Sequence, residues 1–286
     1  MLMYLIALLP VLGWGLMPII ANLKKSNPEE QLLGTSISAL LFSVVLFIII
    51  KPEISGISFC VSFISGGFWS IGQLLQFTGI RLSSVSKAMP VSNGTQLTFT
   101  TLFAVLIFNE WKTVNMMLIG IMAILIIIIG ITLTSYQKKQ SKITTSPTLS
   151  IYLILSFSSL FLSLYVVINQ LFSVSGFAII LPQSIGMLCS ALLIYKFTHK
   201  GPSNIQNISF NFITGFVWSF ANLGMFLTSI QLGVATSFSI SQACVIVATI
   251  GGILIFKEKK QRLEWIIILS GISLIMLGVT LLSLLK

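Results

Sequence analysis

Residues 66–77 read GGFWSIGQLLQF, and residues 214–226 read TGFVWSFANLGMF. Set one over the other, Trp69-Ser70 falls on Trp218-Ser219 and Gln73 falls on Asn222. Three further matches follow in the same order. Val91-Ser92-Asn93 falls on Ile240-Ser241-Gln242, LIFNE (106–110) on LIFKE (254–258), and GITL (130–133) on GVTL (278–281). The offset stays at about 148–149 residues throughout. Chance gives one such match but hardly four in register, so the chain reads as an internal duplication.

The repeated unit is a membrane unit. Of 286 residues, 56% are hydrophobic and only 8% charged, with a mean hydropathy of +1.04. Soluble domains carry about 25% charged residues, so the chain is a polytopic membrane protein with no stretch left for a separate soluble domain. A helix needs about 20 apolar residues to cross the hydrocarbon core. Ten segments qualify: 2–22, 32–51, 57–80, 88–108, 113–135, 149–171, 177–196, 208–230, 236–256 and 263–284. The first lacks a basic start and a small-residue cleavage site, and reads as a membrane helix rather than a cleaved signal. The longest polar connection, YQKKQSKITTSP (136–147), lies between the fifth and sixth segments. The halves are therefore 1–137 and 149–286, joined by a polar linker at 138–148. Five helices per copy is an odd number, which forces the second copy upside down. The fold class is all-α: ten transmembrane helices in two inverted five-helix repeats, a common plan of secondary transporters, with two gates around one central site.

Charge agrees with inversion. The loop after the fourth helix, NEWKT, carries one Lys, whereas its counterpart after the ninth, KEKKQR, carries four bases. Thirteen of the 16 Lys and Arg lie in the loops after helices 1, 3, 5, 7 and 9. Positive loops stay in the cytoplasm, so both termini are expected outside. The same topology accounts for the net charge of +10 without nucleic acid as a partner.

The residue inventory excludes most chemistry. The acids are Glu29, Glu30, Glu53, Glu110, Glu258 and Glu264; there is no Asp, and His199 is the single His. Metal sites, catalytic triads and carboxylate pairs need such residues clustered in a pocket, so neither enzyme activity, metal nor cofactor is expected. Cys60, Cys189 and Cys244 match no motif and read as buried free thiols.

What remains is a set of amides and tryptophans inside apolar helices. Trp69, Gln73 and Gln76 are spaced i, i+4, i+7 and share a helix face. Trp218 and Asn222 repeat the first pair. On the fourth helix Asn93, Gln96 and Thr100 share a face, and Gln242 repeats Asn93 on the ninth. Buried amides must find partners; bridging two helices is one solution and a polar ligand is another. A tryptophan beside an amide in both copies favours the ligand. An indole face suits the C–H face of a pyranose, and carboxamides offer donor and acceptor to hydroxyl pairs. No acid or base lies in mid-membrane to suit an amino acid or organic anion. Trp14, in GWGLMP (13–18), reads first as part of a packing and hinge motif and second as a sugar contact. Asn169-Gln170 on the sixth helix and Pro182-Gln183 on the seventh are weaker candidates: they line the cavity or lie near the interface as ordinary end residues. In SKAMPVSNGTQL (86–97), Pro90 sits near the start of the fourth helix, and Lys87 and Glu258 fall at the cytoplasmic ends of helices 4 and 9 as candidate gate groups.

SKAMPVSNGTQL, with the upstream WSIGQ and the N-terminal ALLPVLGWG, resembles the bacterial glucose/ribose porter family of sugar uptake proteins. That family belongs to the drug/metabolite transporter superfamily, built from two five-helix (EamA-like) repeats. The resemblance covers essentially the whole chain and is densest over 5–18 and 66–111. It implies uptake of glucose or ribose, driven by protons, across the plasma membrane of a Gram-positive bacterium. It also implies a cavity lined by helices 3, 4, 8 and 9 with part of helix 1. Glu110 and Glu258 are the acids nearest the repeat core and the candidates for proton coupling; without it the protein is a facilitator. The rival expectations are an exporter of amino acids or amphipathic metabolites, a membrane-embedded enzyme, and a non-transporting sugar sensor.

Overall fold

The structure, a computed structural model, describes residues 5–109, 111–134, 136, 149–174, 176–232, 237 and 240–284. Glu110, the polar linker 138–148 and most of 233–239 lie outside them. The described residues form long helices and no strand. They are α1 (Leu8–Leu23), α2 (Pro28–Ile50), α3 (Gly56–Leu82), α4 (Val85–Phe108), α5 (Val114–Thr134), α6 (Leu149–Leu171), α7 (Ile180–Thr198), α8 (Phe212–Leu232), α9 (Cys244–Ile255) and α10 (Arg262–Ser283). A 3₁₀ turn, Gly176–Ala178, precedes α7, and a short helix, Ile205–Phe210, precedes α8.

Seven of these helices are long and apolar enough to cross a membrane: α2 to α6, α7 with its leading turn, and α10. The described parts of α1 and α9 are shorter apolar helices. Leu106, Leu118, Leu125, Leu193, Phe197 and Ile266 are exposed, as expected of side chains that face lipid rather than water.

Two helix starts differ from the sequence expectation. α2 begins at Pro28 rather than 32, because Asn27 and Glu30 form a capping box with Pro28 in the first turn. α4 begins at Val85, which puts Pro90 in the second turn rather than the first. Its missing N–H leaves the carbonyl of Ser86 without the usual i+4 donor.

Helices pack in a regular set of pairs. α3 lies on α6 and α7; α8 lies on α1 and α2. α4 lies on α6 and α9 on α1. α2 meets α7, α4 meets α9, and α5 meets α10. Lipid offers no hydrophobic drive for helix association, so close approach relies on small residues. A Cβ on Gly66 of α3 would sit 2.0 Å from the Gln183 carbonyl oxygen, and one on Gly186 of α7 would sit 2.0 Å from the Phe63 oxygen. Gly130 of α5 and Gly271 of α10 meet backbone to backbone, each Cβ position 2.7 Å from the other's carbonyl oxygen. In the GWG motif, Gly13 faces Val217 and Ala221 of α8 while Gly15 faces Cys244 and Val247 at α9. Trp14 sits half-buried between those contacts, against the main core.

The cysteines are all free, but only Cys244 is buried. Cys60 and Cys189 are exposed on the outer faces of α3 and α7. Each lies away from the buried polar side chains of its helix, Ser62, Ser65, Gln73 and Gln76 on α3 and Gln183 and Ser184 on α7, so the expectation of burial fails for both.

Candidate functional site

Trp69 lies thirteen residues from each end of α3, and Trp218 thirteen residues after Ile205, where its helical stretch begins. The two indoles meet in the middle of the bundle, with ring centroids 4.9 Å apart and planes tilted by 55°. Both are buried, Trp69 to 1% exposure. The two residues that sequence alignment made equivalent are thus in direct contact. Such a tilted pair is worth about 0.5–1.5 kcal/mol beyond its buried area.

The amides run outward from this pair. One turn from Trp69, Gln73 Nε2 donates to Gln76 Oε1 at 2.9 Å, and Gln76 Nε2 donates to Ser92 Oγ of α4 at 2.8 Å. Gln73 and Gln76 are both buried. On α4, Asn93 Nδ2 reaches Cys244 Sγ of α9 at 3.4 Å. Gln96 turns to α6, donating to the Leu162 carbonyl at 3.2 Å. One turn from Trp218, Asn222 Nδ2 donates to the Trp218 carbonyl at 2.9 Å. Gln242 is buried just ahead of α9.

Trp218 and Asn222 line a crevice between α2, α7 and α8, together with Ser219, Phe42, Gln183 and Ser184. It encloses about 310 Å³ of space not filled by atoms, open solvent included. As packed here it admits about one water molecule, so a monosaccharide would need the helices to part.

A serine ladder on α6 was not apparent from sequence. Ser158 Oγ donates to the Gly72 carbonyl at 2.7 Å, Ser159 Oγ to the Ser92 carbonyl at 2.8 Å, and Ser163 Oγ to the Gln96 carbonyl at 2.9 Å. Thr95 and Thr100 of α4 donate to Ser159 and Ser163 at 2.7 and 3.0 Å. Scattered serines in an apolar helix carry no periodic signal; their spacing of four or five residues is the only sequence clue.

At the mouth where α4 begins and α9 ends, Ser86 Oγ lies 2.8 and 2.7 Å from the two oxygens of Glu258. Lys260 Nζ pairs with Glu258 Oε2 at 3.2 Å, the two side chains being 4% and 16% exposed. The described contacts of Glu258 thus run to Ser86 and Lys260; Lys87 sits beside them, half-buried. At the same end of the bundle, Arg81 Nη1 donates to Asn27 Oδ1 at 2.7 Å.

Glu30 is the functional-looking residue that sequence reasoning passed over. It is 1% exposed, although it precedes the apolar segment 32–51. Its carboxylate accepts from Asn27 N at 3.0 Å, Asn207 Nδ2 at 2.8 Å and Asn204 N at 3.3 Å. It ties the start of α2 to the segment ahead of α8. The Asn-Pro-x-Glu spacing of a capped helix start was the signal that could have found it. Among the described residues no group of His, Cys, Asp and Glu is placed to hold a metal.

A family model described as sugar transport protein matches residues 5–285. The chain belongs to this family of sugar transport proteins. It is 65% identical, over all 286 residues of both chains, to a Listeria monocytogenes protein named as a sugar uptake protein. It is 41% identical over 285 residues to the glucose uptake protein GlcU of Bacillus subtilis, covering 99% of this chain and 98% of that one. A crystal structure only 14% identical superposes with a TM-score of 0.63 over 98% of this chain and 96% of the other, and shares its overall fold. The expectation of a sugar uptake family is borne out, and with it a multi-pass membrane protein of a transporter rather than an enzyme family.

Proposed function

We infer that this sugar transport protein imports a neutral monosaccharide, glucose or ribose, across the plasma membrane by alternating access, coupled to protons. The observation that carries this is the buried Trp69–Trp218 pair at mid-bundle, with an amide one turn from each indole. When the indoles separate, each frees an apolar ring face for a pyranose, and Gln73, Gln76, Asn93, Gln96, Asn222 and Gln242 stand within a few turns to read hydroxyls. Trp14 flanks them from α1.

An inverted repeat of ten spans is supported by the packing. Exchanging the first five helices for the last five turns α3–α6 into α8–α1, α3–α7 into α8–α2 and α4–α6 into α9–α1, while α2–α7, α4–α9 and α5–α10 map onto themselves. The covalent repeats are therefore not the packed units. α3, α4, α6 and α7 form one body, and α1, α2, α8 and α9 the other. Rocking one against the other about the tryptophan pair opens the site to either side in turn.

Thirteen of 16 basic residues on one side support outside termini. On that orientation Arg81–Asn27 and Ser86–Glu258–Lys260 bridge the two bodies at the cytoplasmic mouth, and Lys87 lies beside the second bridge. They form the cytoplasmic gate. Glu258 is the carboxylate in this gate and the candidate for coupling, and Glu110, which the sequence repeat aligns with it, lies outside the described residues.

Uptake of labelled glucose, ribose and a neutral amino acid into proteoliposomes, with and without an inward proton gradient, tests this. Gradient-driven accumulation of one sugar is the expected result. Equilibration without accumulation would make the protein a facilitator; flux of the amino acid and not of sugar would make it an exporter-type carrier and overturn the assignment.

A further inference from the structure

A monosaccharide has no two-fold axis, whereas the tryptophans and the Gln73/Asn222 and Asn93/Gln242 amides at the centre of this bundle come in near-equivalent twos; Gln76 and Gln96, whose counterparts are Met225 and Val245, are already tied to Ser92 and to the Leu162 carbonyl. Something one-sided must orient the sugar, and the wall of the crevice beside Trp218 holds a one-sided polar group. Gln183, one turn into α7, lines that crevice with Trp218, Ser219 and Asn222 and is 8% exposed. Its Nε2 donates to Ser65 Oγ at 2.8 Å. A carboxamide has four hydrogen-bonding sites, so this anchor uses a fraction of its capacity.

The anchor itself is tightly held. Ser65 Oγ donates to the Tyr165 carbonyl at 2.6 Å and accepts from Asn169 Nδ2 at 2.8 Å. Asn169 Oδ1 accepts from Ser62 Oγ at 3.0 Å, and its Nδ2 also reaches the Tyr165 carbonyl at 3.0 Å. Asn169 is thus engaged within the wall at both ends of its amide, fixing Ser65, which fixes Gln183. The backbone is fixed as well, since Gly66 lets α3 pack directly on the Gln183 carbonyl.

At the 148–149 offset, the first half has Gly34 and Thr35 where the second has Gln183. Gly34 packs on the Ile208 carbonyl with no room for a side chain, and the Thr35 hydroxyl is tied to its own helix through the Gln31 carbonyl at 2.7 Å. The counterparts of Asn169 are Ile20 and Ala21. Ser62 and Ser65 fall on Asn211 and Thr214, which are also buried and hydrogen-bonded, so it is Asn169 and Gln183 that break the symmetry of the site.

We propose that Gln183 is a specificity-determining residue: it hydrogen-bonds one particular hydroxyl of the sugar in the crevice beside Trp218 and Asn222, with Ser65 and Asn169 as positioning residues. This rests on the sugar-transport function proposed above. Its test is uptake of glucose and of singly deoxygenated glucoses by wild type, Gln183→Ala and the equally long Gln183→Met in proteoliposomes. Losing one neutral hydrogen bond should raise KM for glucose by about 10-fold, with a smaller change in maximal rate. For one deoxy sugar, variants and wild type should be alike, because the hydroxyl and the amide form one interaction and their losses do not add. Asn169→Ala should show the same pattern in weaker form. A uniform loss across the sugars, or glucose kinetics as in wild type for both Gln183 variants, would overturn the proposal while leaving sugar transport intact. Absence of any sugar flux in wild type would instead overturn the transport function, and this proposal with it.

Discussion

Gln73 and Gln76 either hold helices together or read sugar, and one double substitution separates the two roles. Gln76 uses both ends of its amide: its oxygen accepts from Gln73 Nε2 and its nitrogen donates to Ser92 Oγ. Gln76→Leu removes both bonds and strands the Gln73 N–H in a buried site. Leaving a buried donor unpaired costs about 1–3 kcal/mol in soluble proteins, whereas interhelical bonds in membranes average about 0.6 and reach about 1.7. The single variant should therefore lose about 1–2 kcal/mol of stability. Gln73→Leu removes one bond and leaves Gln76 anchored on Ser92, so it should lose less. In the double Leu variant no stranded amide remains, and its loss should fall short of the sum of the singles by about 0.5–2 kcal/mol. Stability is measured by denaturant unfolding of purified protein, and uptake in proteoliposomes runs alongside. If the amides read sugar, the double variant recovers stability and stays inactive. Uptake returning with stability would refute the assignment and leave the two glutamines as helix ties.

Three further outcomes follow from the packing and the mouth. Gly66→Ala puts a methyl 2.0 Å from a backbone oxygen and 2.7 Å from Met187 N, so the melting temperature should fall in line with an overpacking cost of about 1–3 kcal/mol; Gly56→Ala, with nothing within 4 Å, should be neutral. Glu258→Gln keeps a partner for Ser86 but discharges the Lys260 pair, and should abolish gradient-driven accumulation while sugar exchange at equal concentrations persists; unchanged accumulation would remove Glu258 from coupling. Glu30→Ala loses three hydrogen bonds to a carboxylate and should destabilise by about 2 kcal/mol or more, whereas Glu30→Gln retains acceptor geometry on one oxygen and should cost less; denaturant unfolding distinguishes them.

The helices were legible because membrane spans must be long and apolar. The 149–171 expectation matches α6 residue for residue. An alignment of two short stretches named Trp69 and Trp218 as sugar-stacking candidates; that their rings touch each other was not among the expectations. What sequence could not supply was partnership across helices. Gln96 shares a face with Asn93 on paper, yet it turns to α6 while Asn93 turns to α9, because α4 is wedged between them. The serines of α6 look inert until their carbonyl partners on α3 and α4 are known. Glu30 falls ahead of the apolar run that marks the second span, and only its capping contact with Asn27 places it in α2.

The account stands most directly on the tryptophan pair. Glucose and ribose uptake should be measured in proteoliposomes of wild type, Trp69→Ala, Trp218→Ala and, as a control on α10, Trp265→Ala, each normalised to monodisperse protein. Loss of uptake in the first two variants, with Trp265→Ala active, is the predicted result. Wild-type uptake in both Trp69→Ala and Trp218→Ala would contradict the central site.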